Sequence, residues 1–418
     1  MKIKISLLTL VYLYGFLGLA CAQKKNNYSK IKTGIDVLEE QKFKILDGKK
    51  VGLITNATGL NSALIPTIDI LFNAENVELI ALYGPEHGAR GEIAAGDKVD
   101  DYTDEVTKVP VYSLYGKTRK PTPEMLKGID VLIYDIQDIG VRSYTYISTM
   151  GLAMEAAAEQ GIEFVVLDRP NPLGGNKIEG NIAEEGFFSF VSQYPIPYVY
   201  GLTPGEVAKM INNEGWLSKG EKVKLSVIEM EGWKRSMTFE DTGLHWIPTS
   251  PHIPHSNSAY FYVSTGIMGE LGVFSEGVGY TLPFQVFAAE WIDERALAEN
   301  MNALEIPGVK FRPIVYKPFY GRDKGKTLHG VQIHFSDYTK AHLMSLQFYF
   351  MQVHKKMYPE MDIIAKSENR WSMFDKVNGS DSIRNLFKQS YKLTDIEEYL
   401  NKDVDSFRKK SSKYYLYN

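Results

Sequence analysis

The chain has 418 residues, 44% of them apolar and 23% charged, a balance that excludes a disordered or membrane-embedded protein. That length calls for two packed units, at about 150 residues per unit. A formal net charge of −4 without any basic stripe excludes nucleic acid as an expected partner.

The first residues do not read as part of the fold. Lys2 and Lys4 precede an apolar run, 5–20, which ends at Ala20-Cys21-Ala22 before the polar Gln23-Lys24-Lys25-Asn26-Asn27. A basic start, an apolar middle and an Ala-x-Ala site make residues 1–22 a secretory signal peptide. The run is short for a stable membrane span, so no transmembrane span is expected in the mature chain. Cleavage after Ala22 removes the only cysteine. The competing reading is a lipoprotein anchored at Cys21, although Gly18 stands where such a signal usually carries Leu. Either reading places the chain outside the cytoplasm, in the periplasm, where ATP and nicotinamide cofactors are scarce.

From residue 33 to 166 short β-rich runs alternate with helical ones. Strands are predicted over 50–55, 77–83, 109–112, 129–134 and 163–167, and helices over 65–72, from 122, and over 147–160. Continuous apolar strands separated by helices predict a parallel sheet covered on both faces. The fold class is therefore α/β, with a Rossmann-like, doubly wound first domain over 30–247. A helix over 203–213 and a strand over 223–229 complete it. Beyond Pro248-Thr249-Ser250-Pro251, strands at 309–318 and 330–335 mix with helices at 295–301, 341–358 and 380–389. This reads as a smaller α+β domain, 248–418, with the active-site cleft between the two.

Each predicted strand runs into a polar, glycine-bearing loop, and in a parallel sheet these loops share one edge, where ligands bind. Thr55-Asn56-Ala57-Thr58-Gly59 follows the first, with Asn56 a candidate for substrate binding. Gly84-Pro85-Glu86-His87-Gly88-Ala89-Arg90-Gly91 follows the second. Glycine permits sharp turns and close approach while proline stiffens the entry, so Glu86, His87 and Arg90 look like reacting and binding groups. Glu86 suits a general acid whose pKa burial raises, and a Glu86–Arg90 ion pair is the plain structural alternative. After the later strands come Asp135, Gln137 and Asp138, then Arg142 and Tyr144, then Asp168, Arg169 and Asn171. Glycoside hydrolysis needs two carboxyl groups, so Asp138 or Asp135 is a candidate partner for Glu86. Glu276, in Ser275-Glu276-Gly277-Val278-Gly279, is a second candidate from the other domain. Each of these has a bland alternative as a helix cap, a loop brace or a solvated turn.

His87, His252 and His255 raise a metal site, but the Pro251-His252-Ile253-Pro254-His255 spacing is not that of a helical ligand pair. No G-x-G-x-x-G follows the first strand, and no P-loop or G-x-S-x-G motif exists. The fold alone would be a misleading guide to a dinucleotide.

Three motifs in order, Gly84 to Gly91, Asp135-Ile136-Gln137-Asp138-Ile139-Gly140-Val141-Arg142 and Asp168-Arg169-Pro170-Asn171-Pro172-Leu173-Gly174-Gly175, resemble those of the bacterial exo-acting β-N-acetylmuramidases. Ser275-Glu276-Gly277 and the closing Tyr414-Tyr415-Leu416-Tyr417 add to the resemblance, which runs from about residue 34 to the end. It implies a cofactor-free hydrolase that releases terminal N-acetylmuramic acid from the non-reducing ends of peptidoglycan fragments. Glu86 falls at the family's catalytic glutamate. His252 departs from the smaller polar residue expected between these prolines. Muramic acid carries a lactyl carboxylate, which Arg90, Arg142 or Arg169 at the lip would pair with. The remaining alternatives are a metal-dependent hydrolase using His87, Asp135 and His252, and a non-catalytic muropeptide receptor using the same cleft.

Overall fold

The computed structural model describes residues 31–86, 88–91 and 100–418. The signal-peptide region, Cys21 and His87 therefore lie outside the described residues. The first region is a seven-stranded sheet built from β1 (Lys49–Thr55), β2 (Val77–Gly84), β3 (Tyr102–Thr103), β4 (Pro110–Ser113), β5 (Val131–Asp135), β6 (Glu163–Leu167) and β7 (Leu225–Ile228). Their order is β3-β4-β2-β1-β5-β6-β7, and every pair is parallel except β3 with β4. Alternate residues feed two different cores. Leu53, Ile133 and Val165 face one side, whereas Ile54, Leu132 and Phe164 face the other. Burial on both faces is why these strands read as unbroken apolar runs.

Helices cover both sides: α1 (Gly34–Glu40) and α2 (Thr67–Asn73) on one, α3 (Tyr146–Gln160) and α4 (Pro204–Asn213) on the other. Gly161 ends α3 in the left-handed conformation, φ 66°. Thr203 caps α4, accepting from the Glu206 N–H while Glu206 reaches back, with Pro204 at the first turn. The helix expected from residue 122 is a turn only, cut short by Gly128 at φ 82° before the chain must extend into β5. β1 pairs with β2 on one side and β5 on the other, and the connections leave in opposite directions. Their carboxyl ends form the switch-point crevice in which such sheets bind ligands.

The second region holds a three-stranded antiparallel sheet of β8 (Val286–Ala289), β9 (Val309–Tyr316) and β10 (Leu328–Phe335), ordered β8-β10-β9. It packs with α5 (Ser258–Gly269), α6 (Glu294–Asn302) and α7 (Leu346–Met357) around stacked Phe287 and Phe350. Sequence periodicity gave no sign of α5, because nine of its twelve residues are buried and no polar face marks its period. Ile139, Val141 and Tyr198 from the first region share this core. In return, Phe407 and Tyr414 pack into the first region's core, so the two halves are interlocked.

Candidate active site

Glu86 follows β2 directly and is half-buried. Gly88 and Gly91 turn its loop at φ 79° and 85°. A side chain at Gly91 would come within 2.6 Å of the Ala57 Cβ, so glycine lets the loop lie against the one after β1. A cavity of about 170 Å³ opens on Glu86, walled by Tyr144, Tyr146, Ser250, His252, Tyr262 and Phe284. It adjoins, at Ser250, a space of about 270 Å³ bordered by Asn56 and Gly91. Together they fall in the range of roughly 300–1,000 Å³ usual for small-molecule sites. The walls come from both regions: Glu86, Tyr144 and Tyr146 from the first, Tyr262 and Phe284 from the second.

The phenols are fixed by hydrogen bonds and ring contacts that hold them as packing surfaces. Tyr146 donates to the Thr249 carbonyl at 2.5 Å, and the Tyr144 hydroxyl pairs with the Thr249 hydroxyl at 2.7 Å. Tyr262 meets the Ser143 hydroxyl at 3.1 Å and stands edge-on to Tyr144. Burial pushes all three phenols well up, so they keep their protons. Tyr115 stands near Glu86, and its acidity is weakened by burial and then by that carboxylate. Tyr115, Ser250 and Tyr262 carried no motif by which the sequence could announce them, whereas Tyr146, two residues beyond Tyr144, reads equally well as a sugar-stacking ring or as core.

Asp138 lies under this wall, 2% exposed. Tyr200 donates to its Oδ2 and the Gly140 N–H reaches the same oxygen at 2.8 Å, while Oδ1 is buried with no hydrogen-bond partner among the described residues. Burial raises its pKa to about 6 against those bonds. Its charge is felt at Tyr144 and Tyr262.

The other candidates are occupied by the fold. Arg142 is fully buried, donating to the carbonyls of Asn181, Ile196, Val377 and Asn378 and to Ser192. Burial lowers its pKa to about 10, so it remains charged but unavailable to a ligand. Arg169 clamps Asp135 at 2.5 and 2.9 Å and the Thr67 hydroxyl donates to its Oδ2 at 2.5 Å, so this carboxylate is not free to partner Glu86. A metal reading through Asp135 thereby loses its carboxylate. Arg90 pairs with Asp69 and Asp104 rather than with Glu86. Asp168 is bonded by Thr203, Gly205 and Tyr417, and Asn171 by Leu202 and Leu173. Gln137 donates to the carbonyls of Asp138 and Pro170. Asn56 accepts from Thr58 and borders the second space. Glu276 does not line the Glu86 cavity: it lies half-buried beside Gly269, 3.6 Å from Arg322.

Comparison with known proteins decides the family. Profiles for the N-terminal and C-terminal parts of the exo-β-N-acetylmuramidase NamZ match residues 51–257 and 260–417. The chain belongs to the exo-β-N-acetylmuramidase family. It is thereby related to glycoside hydrolases rather than to the dinucleotide enzymes whose sheet it shares. The peptidoglycan β-N-acetylmuramidase NamZ of Bacillus subtilis (strain 168) is 43% identical over 93% of this chain and 92% of its own. Two solved DUF1343 family proteins from Bacteroides fragilis NCTC 9343 share the fold of this muramidase-family chain. One has a TM-score of 0.89 at 59% identity, the other 0.70 at 28%. Each match covers 93% of this chain and 99% of theirs.

Proposed function

We propose that this chain is an exo-β-N-acetylmuramidase that hydrolyses terminal N-acetylmuramic acid from the non-reducing ends of peptidoglycan fragments. The observation that carries the reading is Glu86, half-buried on a phenol-walled cavity between the two regions of a chain of this family. Glu86 protonates the glycosidic oxygen as the bond to C1 breaks, and water then bonds to C1, its released proton restoring the acid form of Glu86. Asp138, out of direct reach beneath Tyr144 and Tyr262, acts through its field on the oxocarbenium-like state rather than by attack. The lactyl carboxylate meets Arg119, an exposed cation held 4.1 Å over the Phe190 ring and beside Tyr115, the neighbour of Glu86. Arg119→Ala is therefore expected to narrow the preference for muramides over glucosaminides.

The basic, apolar and Ala-x-Ala pattern of residues 1–22 supports export and a place in cell-wall turnover outside the inner membrane. N-terminal sequencing of the exported protein separates cleavage after Ala22 from lipidation at Cys21. The central test is turnover of a chromogenic N-acetylmuramide by wild type and Glu86→Gln. Near-normal turnover by the variant, or preference for the glucosaminide in the wild type, would end this reading.

A further inference from the structure

Beyond the cavity, the segment 317–325 leaves β9 as an arm carrying two adjacent aromatics into solvent, Phe319 at 58% and Tyr320 at 40% exposure. The arm is built, not loose. The Phe319 N–H donates to the Gly279 carbonyl at 2.9 Å, and the Gly325 N–H closes the arm on the Pro318 carbonyl at 2.9 Å. Gly279 sits at φ 98°, and a side chain there would lie 2.3 Å from the Tyr320 carbonyl, so only glycine admits the arm. Arg322 donates to the Phe274 carbonyl at 2.5 Å and faces Glu276. The Ser275-Glu276-Gly277-Val278-Gly279 motif is thus the cradle of this arm, and Glu276 serves it from below.

The arm ends at the mouth of the Glu86 cavity. The Tyr320 hydroxyl pairs with His252 Nε2 at 2.9 Å, and the two rings are stacked 6.0 Å apart at 12°. His252 is itself a wall of that cavity. An exo-acting enzyme holds one terminal sugar inside, and the rest of the glycan must leave across the mouth. We propose that Tyr320, steadied by His252 and flanked by Phe319, is an aglycone platform that binds the N-acetylhexosamine next to the scissile bond. The axial C–H face of a pyranose is weakly positive and packs on the negative face of an aromatic ring. This rests on the muramidase reading, and it predicts that glycan fragments bind more tightly than simple muramides because of the arm.

The test uses the full exported protein carrying Glu86→Gln, so that sugars bind without turnover, and calorimetric titration with N-acetylmuramic acid and with its disaccharide to N-acetylglucosamine. The disaccharide is expected to bind more tightly. Adding Tyr320→Ala weakens the disaccharide roughly five- to tenfold and leaves the monosaccharide within about twofold, while Tyr320→Trp restores the difference. Monosaccharide binding doubles as the check on folding. Equal affinities for the two sugars, or a Tyr320→Ala variant that weakens both alike, would overturn the platform and leave the muramidase reading standing. Binding of neither sugar by the Glu86→Gln protein would overturn both.

Discussion

The loops after β2 and β6 are alike in composition and opposite in use. Each joins a buried strand to glycine, proline, a carboxylate and an arginine within eight residues. After β2, Glu86 remains half-buried on a cavity and Arg90 is tied back by Asp69 and Asp104. After β6, Asp168 is sealed by Thr203, the Gly205 N–H and Tyr417, and Arg169 is spent on Asp135. The difference lies in what later chain is laid over each loop. A charged glycine loop at a strand end is raw material for a site, and the covering elements decide whether it becomes one or becomes scaffold.

The sharpest way to break this comparison is to remove the charge from each kind of position. Glu86→Gln is expected to lower kcat by roughly 10²–10⁴-fold, the usual contribution of a general acid, with the melting temperature nearly unchanged. Arg142→Ala should do the reverse. It abandons four buried carbonyls and the Ser192 hydroxyl at a joint between the two regions, and is expected to cost at least about 3 kcal/mol in denaturant unfolding. If Arg142→Ala folded as stably as wild type and lost only substrate affinity, the division into site and scaffold would be wrong.

That division was only half legible in the sequence. The sheet could be read because its strands are apolar on both faces, and α3 and α4 because Gly161 and the Thr203–Glu206 box mark their ends. The strand-end loops followed from the sheet. Their fates did not, since the groups that close them come from far along the chain. Asn378 reaches Arg142 across 236 residues, and Tyr417 reaches Asp168 across 249. Tyr262 stayed hidden for a related reason: it sits on α5, whose burial erases any period. Glu276 looked catalytic because its glycines resemble a site turn, whereas Gly279 makes room for the Tyr320 arm and Gly277 for the Leu282 carbonyl.

Two buried carboxyls, one beneath the site and one in the scaffold, also set the pH response. Asp138 and Asp168 are raised to about 6 and about 7, in both cases mainly by burial. Between pH 4 and those values the folded chain holds protons that the unfolded chain has released. Stability therefore falls as pH rises through that window and is flat above it. For Asp138 the shift corresponds to something on the order of 3 kcal/mol. Thermal unfolding should show a higher midpoint near pH 5 than near pH 8. Asp104 works the other way, since Arg90 and Thr107 hold its pKa below the usual range, and its contribution is lost only as pH drops under about 4. Activity is expected to decline below about pH 6 as Asp138 takes up its proton; activity rising steadily toward pH 5 would remove Asp138 from the reaction.

The smallest expected effect discriminates best between the two loops. The Tyr417 hydroxyl donates to Asp168 Oδ2 at 2.6 Å and accepts from the Met230 N–H at 2.9 Å, while its ring stands edge-on to Trp233. Tyr417→Phe keeps the ring packing and deletes both bonds. One buried N–H loses its partner and Asp168 loses one of the donors that favour its charged form. The loss should be about 1–2 kcal/mol at pH 8 and smaller at pH 5, where Asp168 is neutral in either protein. Because Asp168 stabilises the loop without meeting substrate, kcat/KM at a temperature well below the midpoint should stay within about twofold of wild type. A large fall in kcat with little change in stability would mean that the loop after β6 belongs to the site after all, and that its burial closes a reacting group rather than a brace.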